Sequence, residues 1–593
     1  MEEDRKWDLS KLVKDTSIEG LTKESDLFFT KVQTKIDGLR ENQKGIGAKQ
    51  LANYLMEIED TAEGIYTIAA YSYCKYVSDT TLNESQALIA LFSKCRNKGN
   101  ELLEGTLNQI LGNVLLEQPS IIESPEIEEY KHLLERASKA LPHILSPVEE
   151  DLITEKDANG ISAMYDLYQS WIGSQMIDVE IDGEKKSISA NHAFSLLMDE
   201  KRETRKSVSD AYFGSFARDK LLHVTAFRAI CSDHIKMTKR RKWPSYMTQS
   251  LNAQDVDKST IDSLLKTIET DSESYQKYIK LKAEYFGQER LQGYDLRAPW
   301  FRKPVWNKDW SEVKSSVFQA YQQFDEEIGS FIDTLFRNHQ VDSKDRPGRA
   351  STAFAFPVFA KKSSFVFVTY NGTLNDAYIL AHELGHSVQS YFADTNQRFL
   401  NADYSQCIGE TGSIFGELLF TEQLLKECKS DEMRVEILAK VLDRFYQWTF
   451  HIGLYALFEQ GIYEFLESGG YLDTEKVLEI WRERRQAVFG NTVDWSNNLD
   501  YDWVRWNQLF MPNFRFYNYS YSFAQLLVFA LYDDYKENPT DFSKRFKLLL
   551  SRGSSMSPKD QIAEMGYDIA KPDFWKIGIR RAVTLTDELK KLL

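Results

Sequence analysis

The residues of this chain best suited to chemistry are His382-Glu383-Leu384-Gly385-His386. Histidines at i and i+4 share one face of a helix, so both imidazoles can reach one metal ion. The glutamate between them lies close enough to take a proton from a water on that metal. Scattering 9 His and 89 acidic residues at random over 593 positions gives about 0.02 such arrangements, even with Asp allowed for Glu. Tyr378, Ile379, Leu380 and Leu384 supply apolar positions for a helix around it. A tetrahedral catalytic site needs a third protein ligand and leaves the fourth position to water. Glu410, 24 residues after His386, opens a second helical pattern, and Gly409 and Gly412 beside it permit close backbone approach. Glu417, seven residues later, falls on the same face, as an alternative ligand or as an acceptor for an imidazole N–H.

These residues need a rigid helical frame, and the composition predicts one. A chain of 593 residues exceeds one ordinary core, so at least two packed halves are expected. With 29 Gly and 13 Pro, helix breakers are scarce, which predicts a mainly α fold. The 42% hydrophobic and 27% charged content excludes a disordered tail protein and a membrane channel. A net charge of −16 argues against nucleic acid as the main partner. Lys236, Lys239, Arg240, Arg241 and Lys242 therefore read as a solvated helix end. MEEDRKWDLS shows no apolar signal-peptide core, and no run approaches the roughly 18 apolar residues of a spanning helix. Cys74, Cys95, Cys231, Cys407 and Cys428 are too dispersed for a disulfide framework or a zinc knuckle. A cytoplasmic protein without nucleic-acid or membrane partners is the expectation.

Along the chain, amphipathic helices run from Trp7 to about Gln175. A hairpin is predicted near 176–190, turning at Asp182-Gly183, with helix resuming at about Ala190. A boundary near 195 separates an N-terminal helical domain, 1–195, from a catalytic domain, 196–593. A second hairpin is predicted over 351–371, joined by the polar Lys361–Ser364 and closed by Asn371-Gly372. Asn375 is the expected cap of the HExxH helix. Because strand precedes helix here, Ser364–Tyr370 is a candidate edge for pairing with a substrate backbone.

FVFVTYNGTLNDAYILAHELGHSVQSYFA resembles the metal-binding helix region of oligoendopeptidase F and the thimet-oligopeptidase-type zinc metallopeptidases. IGETGSIFGELL resembles the helix that carries their glutamate ligand, which falls on Glu410. KWPSYMTQSL, LQGYDLRAPW and FYNYSYSFAQLLVFALY are similar to further pieces of that family, so the resemblance spans roughly 200–590. It implies a multi-helical, two-lobed zincin enclosing a deep channel, one Zn2+ per chain held by His382, His386 and Glu410, and Glu383 as general base and acid. Short unstructured peptides, cut at internal bonds, are the implied substrates. Tyr517 and Tyr521, with Tyr519 as a third candidate, fall where the family's tyrosines point at the metal site.

Two positions depart from the pattern. Asn513 stands at or near a place where relatives carry a histidine, and Gln389 replaces a histidine three residues after the second ligand. Asn can donate a hydrogen bond but carries no charge. An aminopeptidase of the same zincin class ranks low because no GAMEN-like segment lies upstream. A helical peptide binder without turnover is opposed by the intact Glu383. The other histidines, His132, His143, His192, His223, His234, His339 and His451, lack ligand spacing and read as structural.

Overall fold

The structure is a computed structural model that describes residues 5–301, 306 and 308–593. It is mainly α-helical, with seven short strands among the described residues: β1 (Met176–Ile181), β2 (Glu184–Ser189), β3 (Leu291–Gln292), β4 (Val341–Asp342), β5 (Phe354–Val358), β6 (Ser363–Phe367) and β7 (Val493–Asp494). The chain forms two compact units, each assembled from three stretches. The first comprises Met1–Pro142, Trp306–Cys428 and Leu531–Asp568. The second comprises His143–Val305, Lys429–Ala530 and Ile569–Leu593. Residue 195 lies inside the first stretch of the second unit. Among the described residues, no helix is long and apolar enough to cross a membrane.

The first unit begins with long amphipathic helices. In Ile18–Asn42 the buried positions Leu21, Ser25, Phe29, Val32, Ile36 and Leu39 recur at steps of three and four, the period that puts them on one stripe. Ser17 caps this helix by accepting from the Gly20 N–H. Its stripe meets Leu51, Leu55, Ile58, Ala62 and Ile65 of Ala48–Ser78 in one core. Val358 and Phe365 join the same core, so the small sheet packs on these helices. Tyr73 stacks on Phe92 at 4.6 Å and meets Phe354 at 5.1 Å between ring centres.

That sheet is three-stranded, in the order β4-β6-β5. β5 and β6 form the hairpin expected from the sequence, but its turn falls earlier, at Phe359–Lys361, with Lys362 left-handed at φ 47°. Ser363 and Ser364 are already strand. The Gln340 amide donates to Ser363 Oγ (2.8 Å) and to the Ser364 carbonyl (3.0 Å). β4 was not foreseen, because two residues carry no periodicity. It pairs parallel with β6, and the Val368 and Tyr370 amides donate to Asp342 and Ser343 beyond it. The strand before the HExxH helix is therefore central, and the expectation that Ser364–Tyr370 offers a free edge is overturned. The outer strand is β5, where Pro357 lacks the N–H that an interior strand would need.

In the second unit, β1 and β2 pair antiparallel over Met176–Ser189, with Asp182 at φ 55° and Gly183 at φ 79°. Two consecutive positive φ values make the primed turn that suits the twist of a hairpin. Helix resumes at Ala190, capped by Ser189. β3 and β7 form a two-residue parallel ladder, again too short to read from sequence.

The HExxH helix runs Leu374–Asn396 and crosses Thr411–Glu427 at very close range. A Cβ added at Gly385 would lie 2.3 Å from the Gly412 carbonyl oxygen, and one at Gly412 would lie 2.5 Å from that of Gly385. Backbone packed on backbone cannot move aside as a flexible side chain can. Gly385→Ala is expected to cost about 2–3 kcal/mol of unfolding free energy in denaturant titrations. Gly173→Ala, with open space around it, should be neutral or slightly stabilising. Equal stability of the two variants would refute the close-crossing argument.

Candidate metal centre

The helix that carries His382 and His386 starts one residue after Thr373, not at Asn375. Thr373 Oγ1 accepts from the Asp376 N–H (3.1 Å), while the Asp376 carboxylate accepts from the N–H groups of Thr373 and Asn371. This capping box satisfies donors that Asn375, already inside the helix, could not. Glu410 sits at a break between the short helix Gln406–Gly409 and Thr411–Glu427, with φ −94° and ψ 7°. It is thus presented from a bend at the helix start.

Three donor groups converge. His382 Nε2 lies 3.2 Å from His386 Nε2 and 3.2 Å from Glu410 Oε2, and His386 Nε2 lies 3.4 Å from the same oxygen. Donors placed 2.0–2.1 Å from a tetrahedral zinc stand about 3.3 Å apart, so this donor set fits such an ion. Among the described residues, this is the cluster of His, Cys, Asp or Glu that could hold a metal. Glu383 is buried on the same helix.

Glu417 takes the supporting place rather than a ligand's. Its Oε1 accepts from His382 Nδ1 at 2.5 Å, fixing the tautomer that leaves Nε2 facing the other donors. Burial disfavours a charged His382, yet the carboxylates of Glu410 and Glu417 outweigh it and raise its pKa to about 10. Burial likewise favours a neutral Glu410, but His386 and His382 hold its carboxyl well below the usual carboxylate range. Without metal, a proton between imidazole and carboxylate supplies the positive charge that the site is built to receive.

Three supporting residues were not legible as such. Gln389 straddles the break at Glu410: its amide donates to the Ile408 carbonyl and its oxygen accepts from the Gly412 N–H, each at 2.9 Å. At the break the Ile408 carbonyl accepts from the Glu410 N–H as well as from Gln389, so one primary amide joins the end of the short helix to the start of the next. Ser413 Oγ donates to Glu410 Oε2 at 2.7 Å, a contact signalled only by its i+3 spacing. Tyr321 donates to the Ala381 carbonyl at 2.7 Å, next to His382, and nothing in the sequence marks it.

The tyrosine-bearing stretch lies in the second unit. Tyr519 is fully buried, with its hydroxyl 3.0 Å from Ser250 Oγ, and serves packing. Tyr517, in the turn before the helix Tyr519–Glu537, and Tyr521, in its first turn, are half-buried and meet edge-to-face at 5.3 Å. Asn513 is exposed on the preceding loop. Three of the other histidines have structural company: His143 stacks on Trp243 at 3.5 Å, His234 bonds the Tyr246 carbonyl at 2.8 Å, and His223 is enclosed by Trp171, Phe216 and Tyr168. In the basic cluster, Arg240 pairs with Glu149 and Arg241 grips Glu150 through two bonds.

Comparison with known proteins follows the same residues. The sequence profile of Peptidase family M3 matches residues 195–581. The chain is 23% identical over 570 residues to Oligopeptidase PepF of Bacillus subtilis (strain 168), covering 92% of this chain and 83% of that protein. It is 24% identical over 570 residues to Group B oligopeptidase PepB of Streptococcus agalactiae serotype III (strain NEM316), covering 93% of each. A solved structure from Chlamydophila abortus matches with a TM-score of 0.85 at 19% identity, over 100% of this chain and 99% of that one. Oligoendopeptidase-F from Enterococcus faecium matches with a TM-score of 0.69 at 19% identity, over 96% and 99%. These structural likenesses show the fold.

Removing either support should loosen the donors without deleting one. Glu417→Ala and Gln389→Leu are each expected to weaken zinc binding by about 10–100-fold in chelator competition. Unchanged affinity in both would show that the donors hold their places unaided.

Proposed function

The chain belongs to peptidase family M3, and from that premise we propose that it is a zinc-dependent endo-oligopeptidase, cutting internal bonds of short unstructured peptides. The observation that carries the reading is the mutual 3.2–3.4 Å spacing of His382 Nε2, His386 Nε2 and Glu410 Oε2. In this reading these three residues hold one Zn2+ per chain. When bound, zinc supplies Lewis-acid polarisation of the scissile carbonyl and lowers the pKa of a water towards about 7. Glu383, between the two imidazoles in sequence, takes the water proton and returns it to the leaving amine. Glu417 orients His382. Tyr517 and Tyr521 donate hydrogen bonds to the developing oxyanion, a role supported by the family resemblance and by the contact of their rings at 5.3 Å.

The profile match opening at residue 195 supports reading 196–593 as the catalytic portion. Residues 1–195 then contribute a helical wall to a channel that admits extended chains and excludes folded proteins. A cytoplasmic location and peptides as the partners complete the proposal, and the lack of a spanning helix among the described residues agrees with it.

A peptide of about eight residues, blocked at both ends and internally quenched, tests the reading. The zinc-loaded protein should cut it, and Glu383→Gln should lower kcat by about 10²–10⁴-fold while zinc is retained. An aminopeptidase would leave the blocked peptide whole. Zinc at one per chain with no cleavage across a mixed peptide library would sink the peptidase reading and leave a metal-stabilised peptide binder.

The raised His382 pKa gives a second test. At pH 7 its imidazole is protonated in the metal-free protein, because its pKa of about 10 lies above that pH. Zinc needs the neutral ring, so binding at pH 7 should release about one proton, read by calorimetry in buffers of different ionisation enthalpy. Apparent affinity should keep rising with pH until about 10. Release of no proton would contradict this electrostatic account of the site.

A further inference from the structure

The second unit holds a cluster of arginines that outnumbers its carboxylates. Asp500 accepts from Arg482 (2.7 and 2.9 Å) and from Arg485 (2.6 Å). Asp502 accepts from Arg505 Nε (2.6 Å) and from the Tyr455 hydroxyl (2.8 Å), and His451 Nε2 stands 3.4 Å away. Arg505 Nη2 also donates to Tyr455 Oη at 2.9 Å. Burial keeps His451 below its ordinary pKa, so it is neutral at pH 7 and adds no charge. The fourth guanidinium, Arg297, carries no ion pair or hydrogen bond with the described residues. Its contact is with the ring of Phe194, 5.3 Å from its centre, and Arg505 lies 5.6 Å from the centre of that same ring.

Arg297 is half-buried, with Tyr455 and Tyr212 as further neighbours. Burial, then the adjacent Arg505 charge, pushes its pKa down to about 10, so it stays charged at neutral pH. The carboxylate whose field it feels is Asp502, already committed to Arg505 and Tyr455. A partly desolvated charge without a partner is costly, and one aromatic face offsets little of that cost. A guanidinium fork beside a second guanidinium is shaped for a planar or spherical anion.

We propose that Arg297, with Arg505 and the ring of Phe194, forms a binding site for a small monovalent anion of the chloride or carboxylate class. The site is independent of the metal centre's residues and of the peptidase reading. Occupancy neutralises the surplus charge and ties the Arg297 loop to the segment carrying Asp502 and Arg505.

Chloride titrated into the full-length, metal-loaded protein at constant ionic strength, with a bulky sulfonate as the replaced anion, tests this. Thermal unfolding and tryptophan fluorescence are read together, since Trp506 stacks on Tyr455 at 5.0 Å. A saturable response is expected, raising the unfolding midpoint by about 2 °C. Arg297→Gln should abolish it, and Arg297→Lys should keep it with at least about threefold weaker half-saturation. Arg40→Gln, at an exposed position, should leave it unchanged. Two further arms separate free anions from a peptide carboxylate: acetate in place of chloride, and a peptide acid against its amide, bound to Glu383→Gln protein with and without chloride. Competition between chloride and the acid form alone assigns the site to a peptide carboxylate, and equal behaviour of acid and amide assigns it to a free anion. A response that tracks ionic strength without saturating, or that survives in Arg297→Gln, overturns the proposal. If Arg297→Gln does not fold, the wild-type saturation test and Arg297→Lys still decide it.

Discussion

The candidate metal centre rests on one steric fact: at Gly385 and Gly412 two backbones touch with no side chain between them. The HExxH helix can display two imidazoles on its own, but it cannot supply the third donor. Glu410 arrives only because the segment bearing it comes within carbonyl contact of the HExxH helix. That approach forces a break in the chain just there, and a break exposes backbone groups that must find partners. Gln389 and Ser413 meet this need, one on the backbone around Glu410 and the other on its carboxylate. The supports around the donors thus follow from the crossing.

Electrostatics adds a second layer to the same geometry. Two carboxylates, Glu410 and Glu417, bracket His382 from opposite ring nitrogens. Held from both ring nitrogens, the ring is oriented before any ligand arrives, and loss of its inward proton frees Nε2 while the outer hydrogen bond to Glu417 persists. The carboxylates also make the site electron-rich in a partly buried setting, where charge interactions are weakly screened. A cation is therefore attracted by the arrangement itself. The folding cost of gathering like donors is offset by the proton that they share.

How much of this was readable from sequence depends on the range of the interaction. His382, Glu383 and His386 are local: one helical repeat places them, and the structure has the helix where periodicity put it. Glu410 was readable because two glycines flag a close approach, although its place at a bend was not. The β1–β2 hairpin followed from Asp182-Gly183, whose two positive φ values few other residue pairs accept. β4 was invisible because two residues have no period, and its absence from the reading made β6 look like an edge. Gln389 looks in sequence like a lost histidine, since its partners at Ile408 and Gly412 lie about 20 residues along the chain. The fate of Tyr519 was likewise decided by a distant neighbour, Ser250. Sequence pattern reports what a residue does to its own helix and says little about what meets it from elsewhere.

A carboxylate far from the metal carries a different consequence. Glu59, on an N-terminal helix and almost fully buried, accepts from Tyr130 (2.6 Å), from Arg398 (2.7 Å) and from the Leu400 N–H (3.0 Å). The last two belong to the turn directly after the HExxH helix. The first hundred or so residues, which bear no catalytic signature, therefore anchor the far end of the helix that bears most of it. A gene fragment starting at the profile's first residue would encode every candidate ligand and still lack the carboxylate that seats their helix. Recombination that exchanged the amino-terminal third between distant relatives would have to carry the Arg398 region with it, so two segments more than 300 residues apart are bound to a common inheritance.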